Sequence, residues 1–436
     1  MDLSDLRRRL LDARDSRASL IASLTNRSGR ISVSATSVVF LSLNVPGPDK
    51  NTPWLDRVFA RGRAALLRER PRCTLLAEGR DALGPYAAAS VPASPRDVKM
   101  ACVGLEESLS FGRLLDLDVL GPDGGPVGRA SLGLPPRACL VCDRAAVDCI
   151  RAGRHSPADL WSAVRQLERA PLTALAHALV DGARAELALT PKPGLVDRLD
   201  NGSHPDLSYE LMSRSVDALP RYYDDLIELV EPQTPDLAAC VAAGVRVEDR
   251  MRDAAGGNTH RGYVFLSGLL LLAAASDDSC SMAGWRQQVA GLARQLKALG
   301  SGPTTSHGGE ARRRYRVSGV IGEALAGLPS VFDYGLPALE RGLAALPSPE
   351  DARHYALAVL MTTVEDTTAL HRCGREGLDR LKRDGAALAA LIENGGDHLA
   401  RLRALNDEYR AMRLTMGGVA DCLALTLAVH QAAPSP

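Results

Sequence analysis

The sequence predicts two domains of different class, an α+β domain over residues 1–169 followed by an all-α domain over residues 170–436. Three observations carry this expectation. At 436 residues the chain exceeds one ordinary core, so two or three domains are expected. From Ser32 to about Cys149, β-branched runs alternate with Gly/Pro punctuation and occasional helical stretches. Beyond that, Ala/Leu-rich segments with helical apolar spacing dominate.

The elements follow in order. Met1 precedes "DLSDLRRRLLDARDSR", which is charged and amphipathic and lacks the apolar core of a signal peptide, so a cytoplasmic protein is expected. "ISVSATSVVFLSLNV" reads as strand, "PGPDKNTP", "LGPY" and "LGPDGGP" as turns, and Leu55 to Arg70 as a helix. Ser156 can cap a helix with Pro157 at its first position, and Pro171 is expected to limit it, which places the boundary near 169. "LTALAHALVDGARAELALT", "WRQQVAGLARQLKALG" and "ALAALIENGGDHLARLRALNDEYRAM" then read as helices, without an internal repeat.

Lys plus Arg and Asp plus Glu both number 52, so the net charge is zero and bulk attraction to nucleic acid or lipid is excluded. Neither nucleic acid nor a membrane is expected as a partner. The longest apolar run, Val264 to Ala275, falls short of a bilayer span. Nine scattered cysteines suit a reduced state better than a disulfide framework.

In the first half, "FGRLLDLDVLGPDGG" places Asp116 and Asp118 two apart on a strand, hence on one face. Paired carboxylates beside a Gly turn suit Mg²⁺ and phosphoryl or nucleotidyl transfer, and Gly112 would let phosphate approach the backbone. The competing reading is a strand edge whose aspartates face water. "LSLNVPGPDKNTPW" sets Asn44 and Lys50 about a rigid loop, able to hold an anion or simply an ordinary turn with a solvated lysine. Cys139, Cys142, Cys149 and His155 bring three thiols and an imidazole to the short spacing of a tetrahedral zinc site. Their gaps fit no standard zinc signature closely, and buried reduced cysteines are common.

In the second half, "LTPKPGLVDRLDNGSHPDLSY" is no packed helix, and "GGNTHRGYVFLSGLLLLAAA" sets Asn258, His260 and Arg261 before an apolar helix whose start can receive an anion. Glu323, Glu365, Asp366, Arg372 and Asp421 interrupt otherwise apolar helical segments. An unpaired acid there costs several kcal/mol, so each needs a partner, a metal or a proton, and together they suggest convergence. Taken singly, Asp197 and Arg198 are equally a surface pair, His204 a loop residue, Glu323 a solvated position and Asp421 a helix-dipole partner.

"NVPGPDK", "GRLLDLDV", "SLGLPPRACLVCDRAAVDC" and "RHSPADLW" together resemble the apo-citrate lyase phosphoribosyl-dephospho-CoA transferase family, the CitX type. That resemblance implies a nucleotidyltransferase-like domain that attaches a triphosphoribosyl-dephospho-CoA prosthetic group to a serine of the apo acyl carrier subunit of citrate lyase. It gives Gly112, Asp116 and Asp118 the metal and transfer role, and makes Asn44, Gly47, Lys50 and Arg129 candidate phosphate contacts. "LTPKPGLVDR", "GSHPDLSY", "GGNTHRGYVF", "GEALAGLPSVF", "EDTTALHRCG" and "MGGVADCLALTLA" resemble the triphosphoribosyl-dephospho-CoA synthase family, of the CitG and MdcB type. The implied substrates are ATP and 3'-dephospho-CoA. Lys192 and Arg261 would face phosphates, Asp197, His204 and Asp206 would position ribose hydroxyls or a metal, and Asn258, His260, Arg372, Gly417 and Gly418 complete the binding set. Glu323, Asp366 and Asp421 are the catalytic candidates, with no assignment of base or acid. The sequence departs from the family at "GVIGEA", which lacks an arginine, and at "LTMGGVAD", which lacks a proline and a hydroxyl; Arg312, Arg313, Arg314 and Arg316 lie close enough upstream to replace the arginine. A fused, bifunctional assembly enzyme is the resulting expectation. The alternatives are the same chemistry for malonate decarboxylase, or a synthase half reduced to binding nucleotide.

Overall fold

A computed structural model describes residues 3–28, 36–47, 50–70, 72–230, 235–255, 260–277, 281–300 and 307–432. Contacts divide the chain into two compact units, one running to Pro171 and the other beginning at Leu172.

The first unit mixes helix and strand. Its elements are α1 (Leu3–Ser28), β1 (Ser37–Leu43), α2 (Pro53–Glu69), β2 (Thr74–Asp81), β3 (Gly84–Val91), α3 (Pro95–Ser108), β4 (Leu115–Leu120), β5 (Pro126–Val127) and α4 (Ala146–Arg151). The strands form one antiparallel sheet in the order β2-β3-β1-β4-β5. Alternation along the strands divides its faces. Val39, Leu41 and Leu43 join Leu115, Leu117 and Val119 in a core with Leu55, Val58, Val98 and Cys102 of α2 and α3. The opposite face carries Phe40 paired with Asp118 and Ser42 paired with Asp116. α1 covers part of it, with the Arg17 guanidinium over the rings of Phe40 and Tyr86 and bound through two nitrogens to Asp81 at 2.7 and 2.8 Å.

Ser156 caps α5 (Pro157–Ala188) as the sequence suggests, its hydroxyl accepting from the Asp159 N–H at 3.1 Å while Asp159 accepts from the Ser156 N–H and hydroxyl. Pro171 does not end that helix, which is continuous through Ala188. A proline inside a helix removes one hydrogen bond, and flanking helix formers such as Leu167, Leu172 and Ala174 are enough to carry the chain past it.

The second unit is helical: α6 (Tyr209–Val216), α7 (Leu219–Leu229), α8 (Leu237–Ala255), α9 (Arg261–Ser276), α10 (Met282–Ala298), α11 (His307–Tyr315), α12 (Gly319–Leu325), α13 (Leu336–Ala345), α14 (Pro349–Thr363), α15 (Thr367–Glu393), α16 (His398–Met412) and α17 (Gly417–Ala432). α9 and α17 are apolar on all sides and form the centre of its core. Packing is close at glycine: a Cβ on Gly182 would lie 2.4 Å from the Ala424 carbonyl. A π-helical turn, Ser330–Gly335, precedes α13. Among the described residues no helix is long and apolar enough to cross a membrane.

Candidate active sites

In the first unit, strand alternation places Asp116 and Asp118 side by side, half-buried and exposed, while Leu115, Leu117 and Val119 enter the core. Desolvation and then the Asp116 charge raise the Asp118 carboxyl above its ordinary range. Two cations approach Asp116. Arg137 Nη1 lies 3.7 Å from its Oδ1, and Lys50 is close enough that Asp116 partly offsets the desolvation and the Arg17 charge that lower the lysine. Arg137 also reaches the buried Glu106 at 2.5 Å and the Leu115 carbonyl at 2.9 Å. Lys99 donates to the Leu117 carbonyl at 2.7 Å from the α3 side.

Several candidates have other employment. Arg129 is held by Glu106 and Glu107 at 2.9 and 2.8 Å, so its guanidinium is already neutralised. Gly112 is buried against α3, where a Cβ would meet the Leu105 and Glu106 carbonyls at 2.5 and 2.6 Å; the close approach there is by protein backbone rather than phosphate. Asn44 follows β1 and donates its N–H to Leu114 at 2.8 Å. Gly47 has φ +78°, a turn conformation that favours glycine, and Pro48 and Asp49 beside it lie outside the described residues. Glu106, Arg137 and Lys99 were not singled out from sequence; Arg137, adjoining "ACLVC", carried only the signal of a cation beside a cysteine pair.

In the second unit, a cavity of about 2050 Å³ is walled by Glu186, Lys192, His204, Asp206, His260, Arg261, Arg312, Arg313, Glu323, Glu365, Arg372, Gly417, Gly418 and Asp421, and extends to an apolar end at Tyr222, Leu226, Leu237, Leu269 and Leu296. The N-terminal ends of α9, α15 and α17 meet here. Asp421 presses against the first turn of α9 so closely that a Cβ on Gly262 would lie 2.0 Å from its Oδ2. Desolvation, then the charges of Asp366 and Glu186, push the Asp421 carboxyl well above its ordinary range. Glu323 is held at both oxygens by Ser330, whose N–H and hydroxyl donate at 2.7 and 3.0 Å, and burial raises its pKa as well. Desolvation, then the charges of Glu323, Asp421 and Asp366, raise the buried Cys422 thiol well above its ordinary range.

Asp366, a catalytic candidate from the sequence, is engaged by backbone. It is 0% exposed, with Oδ1 accepting from Thr368 and Ala369 N–H at 2.8 Å each and Oδ2 from Val419 at 3.0 Å. It therefore caps α15 and joins it to the first turn of α17. The same bonds engage the α17 start behind Gly417 and Gly418, and a Cβ on Gly418 would come 3.1 Å from Asp366. Asp197 is likewise committed, accepting from Lys192, Leu199 and Asp200 N–H at 3.0, 2.7 and 3.1 Å. Lys192 is 1% exposed and bound to Glu186 at 2.5 Å, so it is part of a buried ion pair in the wall and not an open phosphate ligand. Glu186 escaped the sequence reading, although an isolated acid in "AELALT" was its signal.

His204 bonds the Thr415 hydroxyl at 2.9 Å; desolvation and then Arg372 lower its pKa, while Asp206 opposes them. His260 bonds Ser215 at 2.9 Å, and burial followed by the Lys192 charge lowers it to about 4. Arg261 is 3.5 Å from Glu248. Desolvation and the charges of Arg313 and Arg261 lower Arg312, so these three form one cationic wall. Of the four arginines near the family departure, Arg312 and Arg313 line the cavity and Arg314 and Arg316 do not. Asn258 lies outside the described residues.

Comparison with known proteins agrees with this division. Residues 6–170 match the family described as apo-citrate lyase phosphoribosyl-dephospho-CoA transferase, and residues 172–434 match the family described as ATP:dephospho-CoA triphosphoribosyl transferase. The chain is similar to a probable 2-(5''-triphosphoribosyl)-3'-dephosphocoenzyme-A synthase of Stutzerimonas stutzeri, 37% identical over 268 residues that cover 59% of this chain and 90% of that protein. Proteins of the same name from Azotobacter vinelandii and Pseudomonas putida are 39% and 38% identical, covering 59% and 60% of this chain and 89% and 94% of theirs. The chain is a transferase that belongs to the ATP:dephospho-CoA triphosphoribosyl transferase family, with a citrate lyase phosphoribosyl-dephospho-CoA transferase region fused ahead of it.

Proposed function

We propose that the helical unit joins ATP to 3'-dephospho-CoA with loss of adenine, and that the first unit, acting as a nucleotidyltransferase, places the product on the acyl carrier subunit of citrate lyase. The observation that carries the first step is a cavity of about 2050 Å³ lined both by two acids of raised pKa and by three arginines. Single-ligand pockets occupy about 300–1,000 Å³, so two nucleotides have room together. Arg261, Arg312 and Arg313 suit the triphosphate, and the apolar end suits a base or a pantetheine arm.

In this step the 2'-oxygen of dephospho-CoA bonds to C1' of the ATP ribose as the C1'–N9 bond breaks. Adenine keeps the electron pair and needs a proton, while the hydroxyl proton goes to a base. Asp421, whose raised pKa favours the protonated form, is assigned as the acid. Glu323, held in place by Ser330, is assigned as the carboxylate that meets the developing positive charge at C1' or takes the hydroxyl proton.

In the second step the carrier serine oxygen gives up its proton and bonds to the phosphorus next to the ribose, the bond from that phosphorus to the next bridging oxygen breaks, and pyrophosphate leaves with that oxygen and can take up the proton. Asp116 and Asp118 offer an all-oxygen donor pair on one face, and the Asp118 pKa, raised by desolvation and then by the Asp116 charge, is one that a bound cation would lower, so the residues fit Mg²⁺. A bound Mg²⁺ would neutralise phosphate charge there. Arg137 and Lys50 hold the remaining negative charge and orient the triphosphate. The test is chromatography of the protein with ATP, 3'-dephospho-CoA and Mg²⁺: adenine appearing only with dephospho-CoA supports the synthase reading, and its absence overturns it.

A further inference from the structure

We infer that Cys139, Cys142, Cys149 and His155 bind one structural zinc ion whose task is to fix Arg137 at the Asp116 carboxylate. Their four ligand atoms all lie within 4.8 Å of one another. Cys142 Sγ is 3.5 Å from Cys149 Sγ and 3.4 Å from His155 Nε2. A tetrahedral zinc with ordinary bond lengths separates two sulfurs by about 3.8 Å and a sulfur from a nitrogen by about 3.6 Å, so these two separations need adjustments of only a few tenths of an ångström, and the remaining pairs need to close by about 1 Å at most. The Cys139 N–H donates to the Arg144 carbonyl at 2.7 Å, closing the turn that presents the first two thiols; Cys149 comes from α4 and His155 from the segment after it. Binding converts three thiols to thiolates with release of three protons, and the neutral imidazole supplies the fourth ligand.

The surrounding chain explains why a metal is needed. Between β5 and α5 the regular structure is a single turn at Ala130–Leu132 and the six residues of α4, and Ile150 on α4 is 79% exposed. A segment with so little core needs a staple to hold one conformation. An odd number of thiols with an imidazole among them suits a metal better than a disulfide, which would leave one thiol and the histidine unused. The clasp is tied to the catalytic face at two points. Arg113, just before β4, donates to the carbonyls of Ala138 and Cys139, the latter at 2.6 Å. Arg137, two residues before the first ligand, spans Glu106, the Leu115 carbonyl and Asp116. Arg137 is thus a positioning target of the zinc site; that role rests on the proposed transfer reaction, whereas the metal site does not.

The experiment uses the full-length protein. Metal analysis should give about one zinc per chain, as one four-ligand site requires. Cobalt substitution should give thiolate-to-cobalt charge-transfer bands with tetrahedral d–d bands. Cys149→Ser and His155→Ala should lose the metal, His155→Cys should keep it with an altered cobalt spectrum, and Cys73→Ser should change nothing. Removing zinc should open tryptic cleavage at Arg137, Arg144, Arg151 and Arg154, and should reduce carrier loading at least tenfold while adenine release continues. Reduced protein free of zinc that resists trypsin as well as the untreated protein, or a mass lower by two hydrogens marking a disulfide, would overturn the site. Zinc that can be removed without effect on loading would overturn the positioning role alone. Because metal content, cobalt spectrum and proteolysis need no turnover, failure of the proposed reaction would remain distinguishable from failure of the zinc site.

Discussion

Asp421 and Asp366 are close in space and alike in type, yet their surroundings give them different work. Asp421 lines the cavity, where desolvation and two acidic neighbours oppose its ionisation. Asp366 spends its lone pairs on backbone N–H groups, which pull against the desolvation that raises it. Asp421→Asn should therefore lower adenine formation by about 10²–10⁴-fold, the range expected for loss of a general acid, with little change in melting temperature. Gly262→Ala should imitate it, since its methyl would occupy the place of the Asp421 carboxyl. Asp366→Ala should instead cost about 3 kcal/mol through a lost cap and orphaned N–H groups. Asp366→Asn should retain adenine release with a lowered melting temperature. A stable but inactive Asp366→Asn protein would return that residue to the catalytic set.

At the scale of elements, the π-helical turn does for Glu323 what β4 does for Asp116 and Asp118: it fixes a carboxylate by backbone geometry. The Ser330 bonds favour the ionised form of Glu323 and lower a pKa that burial raises. Ser330→Ala removes one of them, so the Glu323 pKa should rise and the acid limb of the kcat profile for adenine release should move to higher pH. A limb that stays put would detach Glu323 from it. On β4, Asp118→Asn should abolish carrier loading and spare adenine release. The paired aspartates were legible because a strand repeats every two residues, and the α+β then all-α order was legible because apolar periodicity changes along the chain. Pro171 misled because one missing bond does not stop a helix whose neighbours favour it. The partners of Asp197, Asp366 and Lys192 were not legible for another reason: sequence shows that a polar group needs a partner, but not that the partner is nearby backbone or the buried Glu186. Glu106 and Arg137 went unnoticed because their pairing joins α3 to a loop 31 residues away in the chain.

Across the whole molecule, pH and the coupling of two reactions are the properties that no single site determines. Burial lowers His260 and His354 to about 4, against about 6.5 in the unfolded chain. Their stability contribution is full above 6.5 and declines as pH falls towards 4, because only the unfolded state takes up protons in that window. Buried acids such as Asp421 act with the opposite sign, so a variant must isolate the effect. His354→Leu should flatten the loss of stability between pH 7 and 5 by about one proton, read from denaturation midpoints. An unchanged slope would mean that His354 is protonated in the folded protein. The final prediction concerns the intermediate. Asp421→Asn should keep the transfer step and lose adenine release, and Asp118→Asn should do the reverse. If the triphosphoribosyl compound leaves one unit before entering the other, a mixture of the two variants should load the carrier from ATP and dephospho-CoA although neither does so alone. The mixture should lag most at low protein concentration, where a fused pair retains its effective-concentration advantage. A mixture that forms adenine but loads no carrier, while the Asp421→Asn protein still loads from added intermediate, would show that the intermediate is not released between the steps.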